Sequence, residues 1–252
     1  MIGLGITGTD TGIGKTVVAT ALTALARDAG LDVVAMKPVE TGVERGEPDS
    51  DAVLLREAAG GKAPAELVCP IVLPEPLAPL VAARRTGREV SLDELDEAFR
   101  KLSEGKDLVV VEGAGGILVP LAPETAFDNL FHRWSLDVVI VAGNRLGVLN
   151  QTLLTVQAAR RAGLRIRGVV LNALAPEPRS VAEETNRCTL EELLPEVPVL
   201  SFPWVKAWGD GHRAEREQVL VRECEGGDRQ PQHDRTEDHR VQRPSGVSGA
   251  PE

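Results

Sequence analysis

The sequence predicts an α/β fold with a doubly wound, mostly parallel sheet and helices on both of its faces. Short runs of consecutive apolar residues, such as residues 108–111 (LVVV), are typical of strands buried on both sides. These runs alternate with longer segments whose apolar residues recur at helical spacing. A glycine-rich turn, residues 8–16 (GTDTGIGKT), joins the first strand to the first helix, where such sheets bind phosphate.

The predicted strands are apolar runs bounded by glycine, proline or polar residues. Pro38 prevents the second strand from continuing in the ladder, and Pro198 indicates an edge or the start of a strand. The proline-rich residues 63–79 are expected to be irregular. In chain order, the predicted strands occupy residues 2–6, 33–36, 108–111, 136–141, 166–171 and 197–200.

The predicted helices are recognised by apolar periodicity and by residues that favour helix ends. Ser50, Ser91 and Ser180 are expected N-caps, and the last two have a glutamate three positions later, as in a capping box. Gly30 and Gly163 are expected to close the helices that precede them. The predicted helices occupy residues 17–29, 51–60, 92–105 and 147–162, and a segment that starts after residue 180.

Composition favours one large domain. The 252 residues are 42% hydrophobic, so the chain can bury a sizeable core. We expect residues 1–205 to form this domain and residues 206–252 to be a disordered tail, because the tail is polar and has no periodicity. His212, His233 and His239 lie in the tail at spacings unlike those of a metal site.

Charge and cysteine content narrow the classes of partner. A net charge of -10 argues against a nucleic-acid groove, which needs clustered Lys and Arg. No apolar run approaches the roughly 20 residues of a membrane span, and the N-terminus reads as a strand rather than a secretory signal. Cys69, Cys188 and Cys224 are scattered, which favours a reducing compartment. We therefore expect a cytoplasmic protein without a nucleic-acid or membrane partner.

The glycine-rich turn has the residue types of a nucleotide-binding loop. Its glycines let backbone N–H groups face an anion, Lys15 can reach the outer phosphates of a nucleotide, and Thr16 can hold Mg²⁺. Thr9 stands where the standard pattern has its first glycine, and Gly8 comes one position earlier. A glycine turn without a ligand is the alternative, but the flanking strand and helix favour a phosphate loop.

Polar residues end several predicted strands. Lys37 follows the second strand, and Glu112 follows the third, directly before the glycine-rich residues 113–116. A buried lysine needs an anion beside it, which predicts an anion near Lys37, although a lysine that extends to solvent is the alternative. Because Mg²⁺ prefers oxygen ligands, we expect Thr16, Asp51 and Glu112 to hold it. Asp51 could instead serve only the helix dipole.

Taken together, these motifs resemble the dethiobiotin synthetase family of P-loop NTPases. The resemblance covers about the first 205 residues, and the Thr9 that departs from the generic loop is a residue that this family carries. The matching motifs are GTDTxxGKT at 8–16, KPV at 37–39, SDA at 50–52, VEGAGG at 111–116 and LGxxN at 146–150.

The resemblance implies a reaction that uses ATP and Mg²⁺. In this family 7,8-diaminopelargonate takes up CO2 as a carbamate, which attacks the γ-phosphate of ATP to give a carbamic-phosphoric anhydride. The second amine then closes a ureido ring, and dethiobiotin, ADP and phosphate result. The family acts as a homodimer, with the substrate site at the subunit interface.

The resemblance also implies roles for residues of this sequence. Lys15 and Lys37 would stabilise the charge that develops during phosphoryl transfer, and Thr11 and Thr41 would lie near the substrate amines. The start of a helix would bind the substrate carboxylate across the interface through Leu146, Gly147, Val148, Leu149 and Asn150. The nucleotide contacts would be Gly12, Ile13, Gly14, Lys15, Thr16, Val17, Asp51, Glu112, Gly113, Ala114, Gly115, Asn172, Ala173, Ser201, Phe202 and Pro203, with Asn172 at the base.

Other functions remain open at this stage. A partition-type ATPase switch shares the sheet but requires a second lysine at the position of Asp10. An amidotransferase-type synthase would need a glutaminase segment with a reactive Cys and His. A nucleotide-binding scaffold without turnover is a third alternative. Ala173 stands where the family usually has an acidic residue, which leaves the choice between adenine and guanine undecided.

Overall fold

The computed structural model describes residues 1–177 and 180–205. The predicted tail, with Cys224 and three of the histidines, lies outside these residues. The strands are β1 (Ile2–Gly8), β2 (Val33–Met36), β3 (Val39–Thr41), β4 (Ile71–Leu73), β5 (Leu108–Gly116), β6 (Pro120–Ala122), β7 (Thr125–Ala126), β8 (Asp137–Asn144), β9 (Ile166–Ala173) and β10 (Val199–Phe202). The helices are α1 (Lys15–Asp28), α2 (Asp51–Ala58), α3 (Ala65–Val68), α4 (Pro79–Thr86), α5 (Leu92–Ser103), α6 (Phe127–Arg133), α7 (Val148–Arg161) and α8 (Val181–Leu193).

The central sheet has six parallel strands in the order β10-β9-β8-β1-β5-β2. The predicted doubly wound α/β class is therefore confirmed. Gly5 in β1 is level with Val111 on one side and with Val138 on the other. The strand before the glycine-rich turn thus lies inside the sheet, between two strands that come much later in the chain. In such sheets, ligands bind beyond the carboxyl ends at the point where the strand order reverses.

Successive residues of each central strand point to opposite faces of the sheet, and each face packs against its own apolar cluster. Val33, Val110 and Val139 belong to the cluster under α1 and α2, together with Leu55. Val34, Val109 and Val138 belong to the larger cluster, which includes residues of α5, α6, α7 and α8. This double burial explains why the strand sequences are continuously apolar.

Two regions that were predicted to be loops contain short helices and strands. β3 follows Pro38 directly and pairs with β4 in a separate two-stranded parallel sheet. The predicted irregular segment 63–79 therefore contains α3 and β4, and α4 starts at Pro79. The prediction failed for β3, α3 and β4 because three or four residues are too few to establish a period. It failed for the start of α4 because a proline at the first helical position is equally typical of a loop.

The predicted serine caps are confirmed, and the Glu94 carboxylate of the predicted capping box pairs with an arginine. The hydroxyls of Ser50, Ser91 and Ser180 accept hydrogen bonds from the backbone three residues later, at the starts of α2, α5 and α8. The Glu94 carboxylate accepts from Arg88 at 3.1 Å, so it pairs with a neighbouring side chain beside the cap. Within residues 1–177 and 180–205, every helix is too short or too polar to cross a bilayer.

Candidate active site

A cavity of about 980 Å³ lies at the carboxyl ends of β1, β2 and β5. This volume falls in the range of small-molecule sites. Twelve of the residues predicted from the sequence line it: Thr11, Gly12, Gly14, Lys15, Thr16, Val17, Lys37, Thr41, Asp51, Glu112, Ala114 and Gly115. The topology of the parallel sheet therefore brings together motifs that are separated by about a hundred residues of sequence.

The glycine-rich turn leads directly into α1. Gly14 precedes the helix at φ 90°, a left-handed conformation that glycine adopts readily, and no side chain caps the helix amides. The first turn of α1 also has no acidic residue. Because the first four N–H groups of a helix have no partner within it, this helix end is available to an anion.

Lys15 bends back over the turn. Its Nζ donates to the Asp10 carbonyl oxygen at 3.2 Å, and the side chain is almost fully buried. Burial lowers the pKa of Lys15, and the nearby positive charge of Lys37 lowers it further. A bound anion would relieve both effects.

Lys37 is buried between two carboxylates, so it does not extend to solvent. Only 3% of the residue is exposed, and its Nζ donates to Asp51 Oδ2 at 2.5 Å and to Glu112 Oε1 at 2.6 Å. A third, longer contact joins Nζ to the carbonyl of Gly113 at 3.4 Å. Although burial lowers the pKa of Lys37, the attraction of Glu112 and Asp51 outweighs it, and the net pKa is raised. Lys37 is therefore an ammonium ion in the resting site.

Oxygen atoms of three predicted metal ligands meet beside this ammonium. Thr16 Oγ1 lies 2.7 Å from Asp51 Oδ1 and 2.9 Å from Glu112 Oε1, and its single proton can serve only one of them at a time. Glu112 Oε2 is buried and has no hydrogen-bond partner among the residues that the structure describes. An all-oxygen set with an unsatisfied carboxylate oxygen fits a hard cation such as Mg²⁺. The described residues hold no cluster of three or more His, Cys, Asp or Glu, so phosphate and water would complete the shell.

Glu40 is a site residue that was not predicted from the sequence. It lies on β3, lines the cavity and is only 4% exposed. Burial raises the pKa of its carboxyl group, and the negative charge of Asp51 adds to this effect. The one available signal was its position directly after the KPV motif. Other residues that line the cavity and were not predicted as site residues are Val43, Asp49, Ser50, Leu54, Pro76, Leu77, Ala78, Pro79 and Val119.

Asn172 reaches the glycine-rich turn from the end of β9. Its Nδ2 donates to the Ile13 carbonyl oxygen at 2.8 Å, a contact between residues 159 positions apart in the chain. β10 runs beside β9, with Phe202 level with Asn172, so Ser201 and Phe202 lie beside the predicted base site. The Phe202 side chain itself is in the core, at 2% exposure. Ala173 and Pro203 are partly exposed at these strand ends.

The start of α7 has the same features as the start of α1. Gly147 precedes it at φ 93°, no side chain caps it, and its first turn has no acidic residue. Among the described residues, the lining of the cavity does not include Leu146, Gly147, Val148, Leu149 or Asn150. Leu146 is 83% exposed, whereas Val148 is buried. Arg145 donates to Asp10 Oδ2 at 2.7 Å, which ties this segment to the glycine-rich turn.

Comparison with known proteins agrees with this geometry. A family model described as an AAA domain matches residues 3–207. The ATP-dependent dethiobiotin synthetase BioD of Anaeromyxobacter dehalogenans (strain 2CP-C) is 49% identical over 204 residues, which are 81% of this chain and 91% of that protein. The chain belongs to the dethiobiotin synthetase family. The synthetase of Bacillus subtilis (strain 168) is 38% identical over 200 residues, which are 79% of this chain and 86% of that one.

Membership of the dethiobiotin synthetase family makes this protein an ATP-dependent ligase. A ParA family ATPase from Chlorobium tepidum TLS matches at 14% identity and a TM-score of 0.48, covering 88% of this chain and 90% of that one. This likeness is too remote to bear on activity. Residues of the GTDTxxGKT, KPV, SDA and VEGAGG motifs line one cavity in the described part of this chain, whereas the LGxxN motif lies outside its lining.

The contact between Gly14 and Asn172 predicts a specific intolerance to a side chain. A Cβ on Gly14 would lie 2.3 Å from Asn172 Nδ2, whereas a Cβ on Gly12 would meet nothing within 4 Å. Both glycines have positive φ, so Gly12→Ala is a matched control for backbone strain. We expect Gly12→Ala to lower the free energy of unfolding by about 1 kcal/mol and Gly14→Ala by about 2–3 kcal/mol. Urea unfolding without nucleotide measures both, and equal losses would contradict the clash.

The bond between Asn172 and Ile13 predicts an effect on ligands that have no base. Asn172→Ala removes a buried neutral hydrogen bond from the turn, a change of about 1 kcal/mol that corresponds to about a fivefold loss of affinity. We expect that loss for inorganic triphosphate as well as for ATP. Competition with a fluorescent ATP analogue measures both affinities. If ATP binds less tightly while triphosphate binds as before, Asn172 acts on the base alone.

Proposed function

We propose that this protein converts 7,8-diaminopelargonate, CO2 and ATP into dethiobiotin, ADP and phosphate. The observation that carries the proposal is the buried Lys37 ammonium, which lies between Asp51 and Glu112 in the cavity that the glycine-rich turn also lines. Phosphoryl transfer depends mainly on positioning and on fixed positive charge. The site supplies both at the end of β2.

In this proposal the glycine-rich turn and the start of α1 hold the ATP phosphates, and Lys15 exchanges its contact with the Asp10 carbonyl for a phosphate oxygen. Thr16, Asp51 and Glu112 hold Mg²⁺, which neutralises phosphate charge when bound. Asn172 lies near the base and also braces the turn through Ile13. Ala114 and Gly115, at the end of β5, line the same cavity and would contact the phosphates beside the glycine-rich turn.

Lys37 is proposed to stabilise the negative charge of the carbamate and of the transferred phosphoryl group. Its ammonium is already fixed by two carboxylates, so the positive charge needs little reorganisation during the reaction. Thr11 and Thr41 line the same cavity and supply hydroxyl groups for the substrate amines. Val43, Leu54 and Leu77 form an apolar part of the wall that suits the alkyl chain of the substrate.

We propose a homodimer in which the start of α7 binds the substrate carboxylate of the partner's site. The uncapped amides after Gly147 suit an anion, yet in one chain they do not line the cavity. Asn150 and Leu154 are four residues apart on one exposed face of α7, and Leu154 is 57% exposed. Leu118 and Leu146, at 62% and 83% exposure, add apolar surface for a second copy to cover.

We also infer that residues 1–205 form the catalytic domain and that the protein works in the cytoplasm. All predicted site residues lie within these residues. Cys69 and Cys188 are unpaired in the described part of the chain, and burial raises the pKa of the Cys69 thiol to about 12. A buried, protonated thiol and an exposed free one are compatible with a reducing compartment.

The activity is tested by ADP release from the purified protein with ATP, Mg²⁺, bicarbonate and 7,8-diaminopelargonate. We expect ADP release to require all of them, because the phosphoryl group is transferred to the carbamate. Omission of each component in turn is the control, and mass spectrometry identifies the product. ADP release that continues without the diamine would overturn the synthetase proposal.

Lys37 is predicted to serve both stability and turnover. Lys37→Met leaves the buried Glu112 carboxylate without its counter-charge, so we expect the free energy of unfolding to fall by about 3 kcal/mol. Turnover should fall at least a hundredfold, roughly the effect of losing one fixed group that stabilises developing charge. The matched variant Lys37→Met with Glu112→Gln should recover most of the stability but not the turnover. Urea unfolding and ADP release measure the two effects, and unchanged stability in the single variant would contradict the pairing.

The shared site predicts complementation between two impaired variants when the diamine concentration is below the raised KM. Gly147→Asp places a carboxylate at the start of α7, where a Cβ meets nothing within 4 Å, and should raise the KM for the diamine at least about tenfold. Gly147→Asn is the neutral control and should have a smaller effect. Subunits with Gly147→Asp, mixed with Lys37→Met subunits and allowed to exchange, should regain activity that neither variant has alone. No gain after exchange would place the whole site within one chain.

A further inference from the structure

Glu40 is held at the cavity by the small sheet of β3 and β4. It is the central residue of β3 and is level with Val72 of β4. Its neighbours Val39 and Ile71 are fully buried, so the small sheet is anchored in the main apolar cluster. A charged residue in so closed a place requires hydrogen-bond partners, because an unpaired buried carboxylate is costly.

Those partners are the first two backbone amides of α2. The Asp51 N–H donates to Glu40 Oε1 at 2.6 Å, and the Ala52 N–H donates to Glu40 Oε2 at 3.3 Å. Ser50 caps the same helix separately, by accepting from Val53 at 3.3 Å. The free amides at the start of α2 are therefore shared between a local cap and a carboxylate delivered from another strand.

The Glu40 clamp acts on the residue whose side chain enters the candidate metal site. Glu40 fixes the backbone N–H of Asp51. The carboxylate oxygens of Asp51 accept hydrogen bonds from Thr16 and Lys37. The Asp51 side chain is 36% exposed, so packing alone does not fix its direction. Contact between Glu40 and a substrate amine is disfavoured, because both Glu40 oxygens already accept backbone hydrogen bonds and the residue is only 4% exposed.

We propose that Glu40 is a positioning residue that clamps the start of α2 so that the Asp51 carboxylate is presented to the bound cation. The inference rests on the proposed role of Asp51 as a metal ligand. It assigns Glu40 to neither the metal nor the substrate. The small sheet of β3 and β4 thus supports one metal ligand, which gives this separate sheet a role beside the cavity.

The test is a titration of Mn²⁺, followed by electron paramagnetic resonance, with a nonhydrolysable ATP analogue and the full chain. Residues that orient metal ligands typically affect affinity by 10–100-fold, so we expect Glu40→Ala to weaken Mn²⁺ binding about tenfold. Glu40→Gln keeps one acceptor oxygen, so its Mn²⁺ affinity should lie between those of the wild-type protein and Glu40→Ala. In the Asp51→Ala background, Glu40→Ala should cause no further loss, because it acts through Asp51.

Ser50→Ala is the matched control. It removes a cap from the same helix without touching the clamp, so it should lower the melting temperature while keeping Mn²⁺ affinity within about twofold. An equal loss in Ser50→Ala would reduce Glu40 to general helix stabilisation and overturn the inference. Normal affinity in Glu40→Ala would overturn it too, as would a full additional loss in the Asp51→Ala background.

The same experiment separates the inference from the proposed function. If Asp51→Ala weakens Mn²⁺ binding and Glu40→Ala does not, only the role of Glu40 is wrong. If Asp51→Ala binds Mn²⁺ normally, the metal role of Asp51 fails and the clamp fails with it. Should Glu40→Ala not fold, Glu40→Gln decides, and unchanged affinity in that variant overturns the inference.

Discussion

The arrangement of the site depends on one buried ammonium ion. Lys37 follows β2 and Glu112 lies on β5, and these neighbouring strands are paired so that the two side chains meet at their ends. Asp51 adds the second carboxylate from α2, and Thr16 joins from α1. The ammonium and the two carboxylates neutralise one another in a site that is largely closed to water. Removing one of these charges therefore destabilises the protein more than replacing the whole cluster would.

Two groups stand out among the starts of the described helices. α2, α5 and α8 begin with a serine that accepts a backbone hydrogen bond. α1 and α7 begin after a left-handed glycine and have neither a side-chain cap nor an acid in the first turn. A side-chain oxygen at these positions would compete with an incoming anion for the same amides. The starts of α1 and α7 thus leave their first amides free for a phosphate or a carboxylate.

The large elements and the main charged residues were predictable from the sequence. The parallel strands are continuous apolar runs, the glycine-rich turn has a fixed spacing, and Lys37 and Glu112 stand out as charges at the ends of buried strands. Glu40 and β3 were not predictable, because three residues carry no period and a glutamate beside a loop is usually solvated. The contact of Asn172 with Ile13 depends on the register of β9 against β8, which sets Asn172 level with Gly143 and which a local pattern does not encode. Tertiary pairing decided each of these cases.

The position of β1 inside the sheet has a consequence for the synthesis of the chain. The glycine-rich turn is translated before the strands that flank β1, which end at Gly116 and Asn144. The amide that holds Ile13 belongs to residue 172. The nucleotide loop is therefore translated early and secured late, after most of the chain has emerged. During that interval β1 lacks the two strands that pair with it in the finished sheet, and unpaired apolar strands of this kind favour aggregation of incomplete chains.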